Sequence, residues 1–215
     1  SLKAQYNRQK DHEISLIDHL ARDYLSRSKA IREKTVVIAH ANEDRVLVNH
    51  AIRSGLKVLG EIESEGITVQ RLQRVPLAQV DLRDAESYHP KQILKFGKTY
   101  WTVQTVEAGV ICLLDSTGEK KLFTPKQHHG PLPEIYQNVS TELSVGDQVR
   151  LTQSDKSRGW IANTIFRVEC QEEGLITLKA LKKGDASTLV LDSKNLQDQH
   201  IDYAYSVTGY GVQGA

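Results

Sequence analysis

The sequence predicts an α/β framework at its two ends and a mostly-β insertion between them, and three observations carry that prediction. An unbroken apolar run, Val36-Val-Ile-Ala39, is followed by Asn42 and an amphipathic helical pattern that reaches Leu56. A second strand-forming run, Tyr203 to Val207, passes into a glycine-punctuated turn, Thr208-Gly-Tyr-Gly-Val-Gln-Gly214. Between them, from about residue 61 to 199, apolar residues recur at a period of about 2 instead of 3.6, as strands require.

Taken in order, residues 11–28 read as a helix with Asp11 as its cap and Ile14, Ile17, Leu20, Ala21, Tyr24 and Leu25 at helical spacing. Val36–Ala39 reads as a strand buried on both faces, as in parallel sheets. Asn42 is an N-cap residue type, and Glu43 and Asp44 fall in the first turn, where the helix dipole favours acids. Val48, Ile52 and Leu56, joined by Leu47, Ala51 and Gly55, form the packing face, with Arg45 and Arg53 expected to point elsewhere.

The stretch 55–66 ends this helix and opens the insertion, with Glu61, Glu63 and Glu65 as an acidic hinge. Strands are expected near 68–82, 88–96, 100–106, 110–115 and 120–124, with tight turns at Gly97-Lys98 and Thr117-Gly118. That succession predicts a small antiparallel barrel. A similar pattern recurs at 146–152, 160–170, 175–181 and 187–191, with a turn at Glu173-Gly174. Leu132–Gln137, bounded by Pro131 and Pro133, reads as an irregular crossing strand between the two β units. The chain then returns to the parent sheet through residues 200–207. The expected organisation is 1–60 (helices and first strand), 61–130 and 131–199 (two β units) and 200–215 (return strand and terminal turn).

A chain of 215 residues can bury a sizeable core. Its 39% hydrophobic and 26% charged residues are those of an ordinary globular protein, and no apolar run approaches the roughly 18 residues of a membrane span, so no membrane insertion is expected. The chain carries no targeting pattern and no Met, which reads as a piece of a larger protein. Cys112 and Cys170 lie apart in apolar stretches and read as buried free thiols of a reducing cytoplasm. A net charge of +1 is no global signature of a nucleic-acid protein, although Lys and Arg outnumber acids before residue 60.

The Asn42-Glu-Asp-Arg45 and Asn49-His-Ala-Ile-Arg53 run resembles the strand and helix that open the second motor domain of RecD-like superfamily 1 helicases. Asp202-Tyr-Ala-Tyr-Ser-Val-Thr-Gly-Tyr-Gly-Val-Gln-Gly214 is similar to helicase motif V. With Ala21-Arg-Asp-Tyr-Leu-Ser26, the chain looks like the helicase region of conjugative relaxases of the TraI and TrwC type. The likeness is specific at the two ends, moderate at Gly146-Asp-Gln-Val-Arg150 and Arg158-Gly159, and loose over 60–90. It implies a partial RecA-like parallel sheet of motor domain 2A, interrupted by subdomains called 2B and 2B-like. It departs at Tyr210, where helicases of this group often carry His; a phenol can still donate to a phosphate.

The resemblance implies roles for several residues. Gln213 and Gly214 would lie near the nucleotide's ribose and phosphates, and Thr208 and Tyr210 near a DNA phosphate; the same residues could simply turn the chain. Asn42 and Arg45 would face the DNA backbone, since helix N-termini suit phosphates, but a cap and a solvated first-turn arginine explain them equally. The loop Ser154-Asp-Lys-Ser-Arg-Gly-Trp160 combines Lys156, Arg158 and Trp160, the cations and aromatic that single-stranded DNA binders use. It reads equally as a polar hairpin tip with its Trp folded back. Lys120-Lys121 and Lys182-Lys183 read as solvated turn lysines.

No phosphate loop and no strand-end Asp-Glu pair for Mg²⁺ occurs, so the chain is not expected to hydrolyse ATP alone; ATP and Mg²⁺ would be cofactors of the parent protein. His128-His129 is rejected as a metal site, because adjacent side chains diverge and no further ligand is suitably spaced. Neither a catalytic nor a metal-binding residue is assigned.

Two functions of different classes follow. In one, the chain handles single-stranded DNA within a conjugative relaxase-helicase that unwinds 5′ to 3′ with ATP during plasmid transfer. In the other it is a translocation-signal module recognised by a type IV secretion coupling protein. Both place the parent in the bacterial cytoplasm, with export to a recipient cell through the secretion system, and make its remaining domains partners. A third reading, an accessory β-barrel protein, predicts neither DNA nor a secretion partner.

Overall fold

The computed structural model describes residues 16–76, 81–181 and 187–208. It is mixed α/β, with few helices and most of its regular secondary structure in strands. Helix α1 is described over 16–26, followed by α2 (Lys29–Arg32) and α3 (Asn42–Val58). The first strands are β1 (Val37–Ala39), β2 (Ile67–Arg74), β3 (Ile93–Phe96), β4 (Thr99–Glu107), β5 (Val110–Leu114), β6 (Lys120–Phe123) and β7 (Glu134–Leu143). They continue as β8 (Gln148–Leu151), β9 (Ile165–Glu172), β10 (Leu175–Ala180), β11 (Thr188–Asp192), β12 (Ile201–Tyr203) and β13 (Ser206–Thr208). Two compact units share them. One holds the described chain up to Thr68, Glu142–Asp192 and the chain from Ile201; the other holds Val69–Thr141 and Ser193–His200.

In the first unit, β1 and β13 pair in parallel, with Val37 opposite Ser206, Ile38 opposite Val207 and Ala39 opposite Thr208. Parallel pairing was expected, but burial on both faces was not realised: Val37 and Ala39 are buried while Ile38 is 57% exposed. With only two strands in this sheet, helix α3 covers one side and nothing described covers the other. Val48, Ile52 and Leu56 of α3 pack with Ala21, Tyr24, Val37 and Tyr205, as their spacing predicted.

The first turn of α3 corrects the sequence reading by one residue. Ala41 is the N-cap and Asn42 the first helical position, and the Asp44 carboxylate accepts from the Ala41 N–H at 3.3 Å. The helix ends in a Schellman arrangement, with Glu61 N–H donating to Leu56 O and Gly60 N–H to Lys57 O; Gly60 supplies the positive φ this needs.

Arg45 and Arg53, expected to point away, are 5% and 7% exposed. They fall with Asn49 on a second, polar strip at spacing four, and each meets a partner from a strand or from the turn before β8. The Asp147 carboxylate accepts from Arg53 Nε at 2.8 Å and Nη2 at 2.8 Å, from Ser144 N–H at 2.8 Å and from the Tyr205 hydroxyl at 2.6 Å. Burial opposes the Arg53 charge, but its Asp147 partner outweighs burial and raises its pKa. Burial first, then the Asp147 charge, drives the Tyr205 hydroxyl pKa up. Gly146 lets this turn approach the backbone of the Glu61 segment: its φ is +96°, and a Cβ there would lie 2.6 Å from Glu61 O.

An antiparallel five-stranded sheet, ordered β11-β10-β9-β8-β12, completes this unit. The second unit is built on a six-stranded sheet ordered β2-β7-β3-β4-β5-β6. Among the described residues neither sheet closes, so the expected barrel is corrected to open sheets. Residues 134–143, part of which read as an irregular crossing, form a regular strand between β2 and β3, because the flanking prolines stop short of the ladder. Tyr88, Leu94, Trp101, Ile111, Leu113 and Phe123 form the core on one face. Cys112 and Cys170 are free but half-buried, not buried. His128, rejected above as a metal ligand, packs edge-on against Phe96 and Phe123.

On the opposite face the 193–200 segment brings His200 against Tyr100 and Tyr136, with Tyr100 Oη 2.9 Å from His200 Nε2. Burial, then the nearby Lys95 charge, pushes the imidazole pKa down from 6.5 to about 4.

Three measurements test this description. Arg53→Ala leaves the Asp147 carboxylate buried without its cation and is expected to lower unfolding free energy by about 3–5 kcal/mol in urea titrations. Gly146→Ala is expected to cost about 2 kcal/mol by combining left-handed strain with a backbone clash. The neutral His200 contribution is complete above pH 6.5, because the unfolded imidazole takes up a proton that the folded one refuses, and it declines as pH falls from 6.5 toward about 4. His200→Gln should flatten the acid limb in that window; an unchanged slope would remove His200 as its cause.

Candidate nucleic-acid interface

Two groups of predicted contact residues lie in the first unit. The first sits where the carboxyl ends of the parallel strands β1 and β13 meet the first turn of α3, the end of an α/β sheet at which ligands usually bind. Asn42 is exposed here and Thr208, opposite Ala39, is half-buried. Ser206 anchors the strand to the helix. Its N–H donates to Asn49 Oδ1 at 2.7 Å, and its hydroxyl donates to Arg45 O at 3.1 Å. Asn49 Nδ2 donates to Tyr203 O at 3.4 Å. Tyr210, Gln213 and Gly214 lie outside the described residues.

Arg45 belongs to this group by position, but its guanidinium is committed inward. Nε donates to Asn42 Oδ1 at 3.0 Å, and Nη1 lies 2.7 Å from Asp202 Oδ2. Asp202 is shared with Arg150, whose Nη2 lies 3.7 Å away and whose Nη1 donates to Asn163 Oδ1 at 2.7 Å. Burial, and then the Arg45 charge, lowers the Arg150 pKa. A polar chain therefore runs from Asn42 through Arg45, Asp202 and Arg150 to Asn163, at the foot of the β8–β9 loop.

That loop carries the second group. It is closed by paired backbone hydrogen bonds of 2.9 Å in both directions between Asp155 and Trp160. Asp155 Oδ1 accepts from the Ser157 N–H at 3.0 Å and the Ser157 hydroxyl at 2.5 Å, while Oδ2 lies 2.6 Å from Arg158 Nε. The Ser157 hydroxyl first, then Arg158, holds the Asp155 carboxyl well below the usual carboxylate range. Arg158 lies over the Trp160 ring, with its guanidinium carbon 3.4 Å from the ring centroid. Lys156 is exposed and Trp160 half-buried. The loop thus brings Arg158 and Trp160 together as a cation–aromatic pair, with Lys156 exposed on the same turn.

Sequence reasoning missed Asp147, Asp155 and Asp202, the acids that fix these arginines. The repeat Arg45-x-x-x-Asn49-x-x-x-Arg53 was the available signal, since three polar residues at spacing four on a helix ask for buried partners. Among the described residues, no group of three His, Cys, Asp or Glu is placed to hold a metal ion, and no helix is long and apolar enough to cross a membrane.

No family model matches the chain. Over 209 residues, 95% of its length, it is 28% identical to the multifunctional conjugation protein TraI of Escherichia coli, and it matches TraI of the K12 strain at the same identity. The chain spans 12% of the length of these relatives. It is, along nearly its whole length, similar to one segment of a conjugation protein of the TraI type.

Proposed function

We propose that this chain is the part of a conjugative relaxase-helicase that holds single-stranded DNA during ATP-driven 5′ to 3′ unwinding in plasmid transfer. The observation that carries the reading is the similarity to TraI over 95% of the chain. The motif V resemblance and the parallel β1–β13 pair support a place in a RecA-like motor domain. Thr208 and Asn42, at the carboxyl ends of these strands, take a backbone phosphate, and the Lys156, Arg158 and Trp160 loop takes the strand itself. ATP and Mg²⁺ are bound by other parts of the protein, with Gln213 and Gly214 approaching the nucleotide. The protein acts in the bacterial cytoplasm and passes through a type IV secretion system into the recipient.

A second reading, recognition by the secretion coupling protein, is favoured by one observation. Net charge is +1, and Arg32, Arg45 and Arg53 are buried in ion pairs, so they add little to a basic surface.

Fluorescence anisotropy of a labelled oligothymidylate over a salt series discriminates these. Binding is expected to weaken modestly with salt and to fall at least tenfold in the Lys156→Ala/Arg158→Ala/Trp160→Ala variant, since each lost base stack or phosphate contact removes on the order of 1 kcal/mol or more. No binding at the lowest salt overturns the DNA reading and directs the same protein to a pull-down with the coupling protein.

A further inference from the structure

The β8–β9 loop contains a residue whose part in DNA binding is not evident from its charge. Asp155 is acidic in a loop read as cationic, and its carboxylate side chain is 10% exposed. It holds Arg158 through Nε at 2.6 Å, and the same guanidinium covers Trp160 at 3.4 Å. The Ser157 N–H and hydroxyl hold the other carboxylate oxygen, so both oxygens of Asp155 are engaged within the loop. The loop's backbone is clamped at both ends of this arrangement by the Asp155–Trp160 pair. Asp155 therefore contacts both members of the stack, Arg158 through its side chain and Trp160 through its backbone.

An arginine free in solution reaches for a phosphate and adds one counterion to the salt dependence of binding. Arg158 cannot do so without giving up a charge-assisted hydrogen bond and its aromatic contact. Charge in the loop follows from this: Asp155 cancels Arg158 and leaves Lys156 as the net cation. What Arg158 presents outward is the flat surface of a delocalised guanidinium already stacked on an indole, with Ile161, 69% exposed, next in the chain. Such a surface suits the face of a nucleobase better than the backbone.

We propose that Asp155 is a positioning residue that assigns Arg158 to base stacking with Trp160 and leaves the phosphate contact to Lys156. The loop then takes one unpaired nucleobase of single-stranded DNA against the Arg158–Trp160 pair. This rests on the single-stranded DNA reading given above and specifies how one site within it works. Asp155 weakens non-specific, charge-driven binding and strengthens binding through the base.

Two readouts on the whole chain test it. The first needs no DNA: acrylamide quenching of Trp160, taken as the difference between the protein and its Trp160→Phe variant, is expected to rise about twofold in Asp155→Asn, as Arg158 leaves the ring. Unchanged quenching overturns the assignment. The second compares an oligothymidylate with an abasic strand of equal length across a salt series. The unaltered protein should prefer the base-bearing strand about tenfold. Arg158→Lys should lose most of that preference while keeping its salt slope, because charge survives and the planar stack does not. Lys156→Ala should make the slope shallower by about 0.7, and Asp155→Asn should make it steeper by about as much while halving the preference or more. An Asp155→Asn slope equal to that of the unaltered protein, or a shallower slope in Arg158→Lys, overturns the positioning role while leaving the DNA reading intact. Absence of any binding by the unaltered protein overturns the DNA reading and the stacking role with it.

Discussion

The first unit depends on one buried ion pair, Arg53 with Asp147. Asp147 is wholly buried, and isolating a carboxylate from water costs several kcal/mol even after relaxation. The cost is offset because its oxygens accept from the Arg53 guanidinium, the Ser144 N–H and the Tyr205 hydroxyl together. Those three donors come from helix α3, from the turn before β8 and from the approach to β13. Each of these segments is distant in sequence, so the pair fixes a register that apolar packing alone would leave free. Arg53 also lies 5.1 Å from the Tyr203 ring centroid, and Lys57 shares Glu142 with it, extending the same network one turn along the helix.

The polar strip on α3 repeats this logic twice more. Arg45 meets Asp202 and Asn49 meets Ser206, so residues 45, 49 and 53 each contact a segment near the end of the chain or near Asp147. Helix α3 consequently has two faces at work: an apolar one through Val48, Ile52 and Leu56, and a polar one that specifies where β12 and β13 lie. Placing the β13 strand beside β1 is what brings Thr208 level with Ala39, and with it the carboxyl ends of both strands beside the first turn of α3.

Much of this was legible in the sequence, for reasons that differ by element. The existence of strand β1 and helix α3 was legible because Val36–Ala39 is an unbroken apolar run and Val48, Ile52 and Leu56 recur at helical spacing, although the burial of both faces of β1 was not realised and the cap lies one residue earlier. The meander β8 to β11 was legible from alternation and from the Glu173-Gly174 turn. The direction of Arg45 and Arg53 was not, since a charged residue at a helical position carries no mark of whether an acid elsewhere in the fold awaits it. Nor was the open form of the sheets. Strand count and turn spacing are the same for an open sheet and a barrel, and closure depends on shear and edge pairing that local pattern does not encode. Strand β7 was missed in part for a local reason: Pro131 and Pro133 announce irregular chain, and the regular ladder begins immediately after them at Glu134.

Three of the six arginines before residue 60 are consumed inside the fold, which constrains how such a chain could hold a polyanion. Arg32, Arg45 and Arg53 are buried and paired, and Arg150 shares Asp202 with Arg45. A broad electrostatic surface is therefore not the mechanism available to it. Exposed and organised among the described residues is the compact loop between β8 and β9, whose foot at Asn163 is joined through Arg150 and Asp202 to the first turn of α3. In a protein with a net charge of +1, the proposed affinity for a single strand would come from geometry, with flat surfaces for bases and a few placed donors for phosphates, more than from counterion release. In that loop a single contact does both, since Asp155 neutralises Arg158 and holds it over the Trp160 ring.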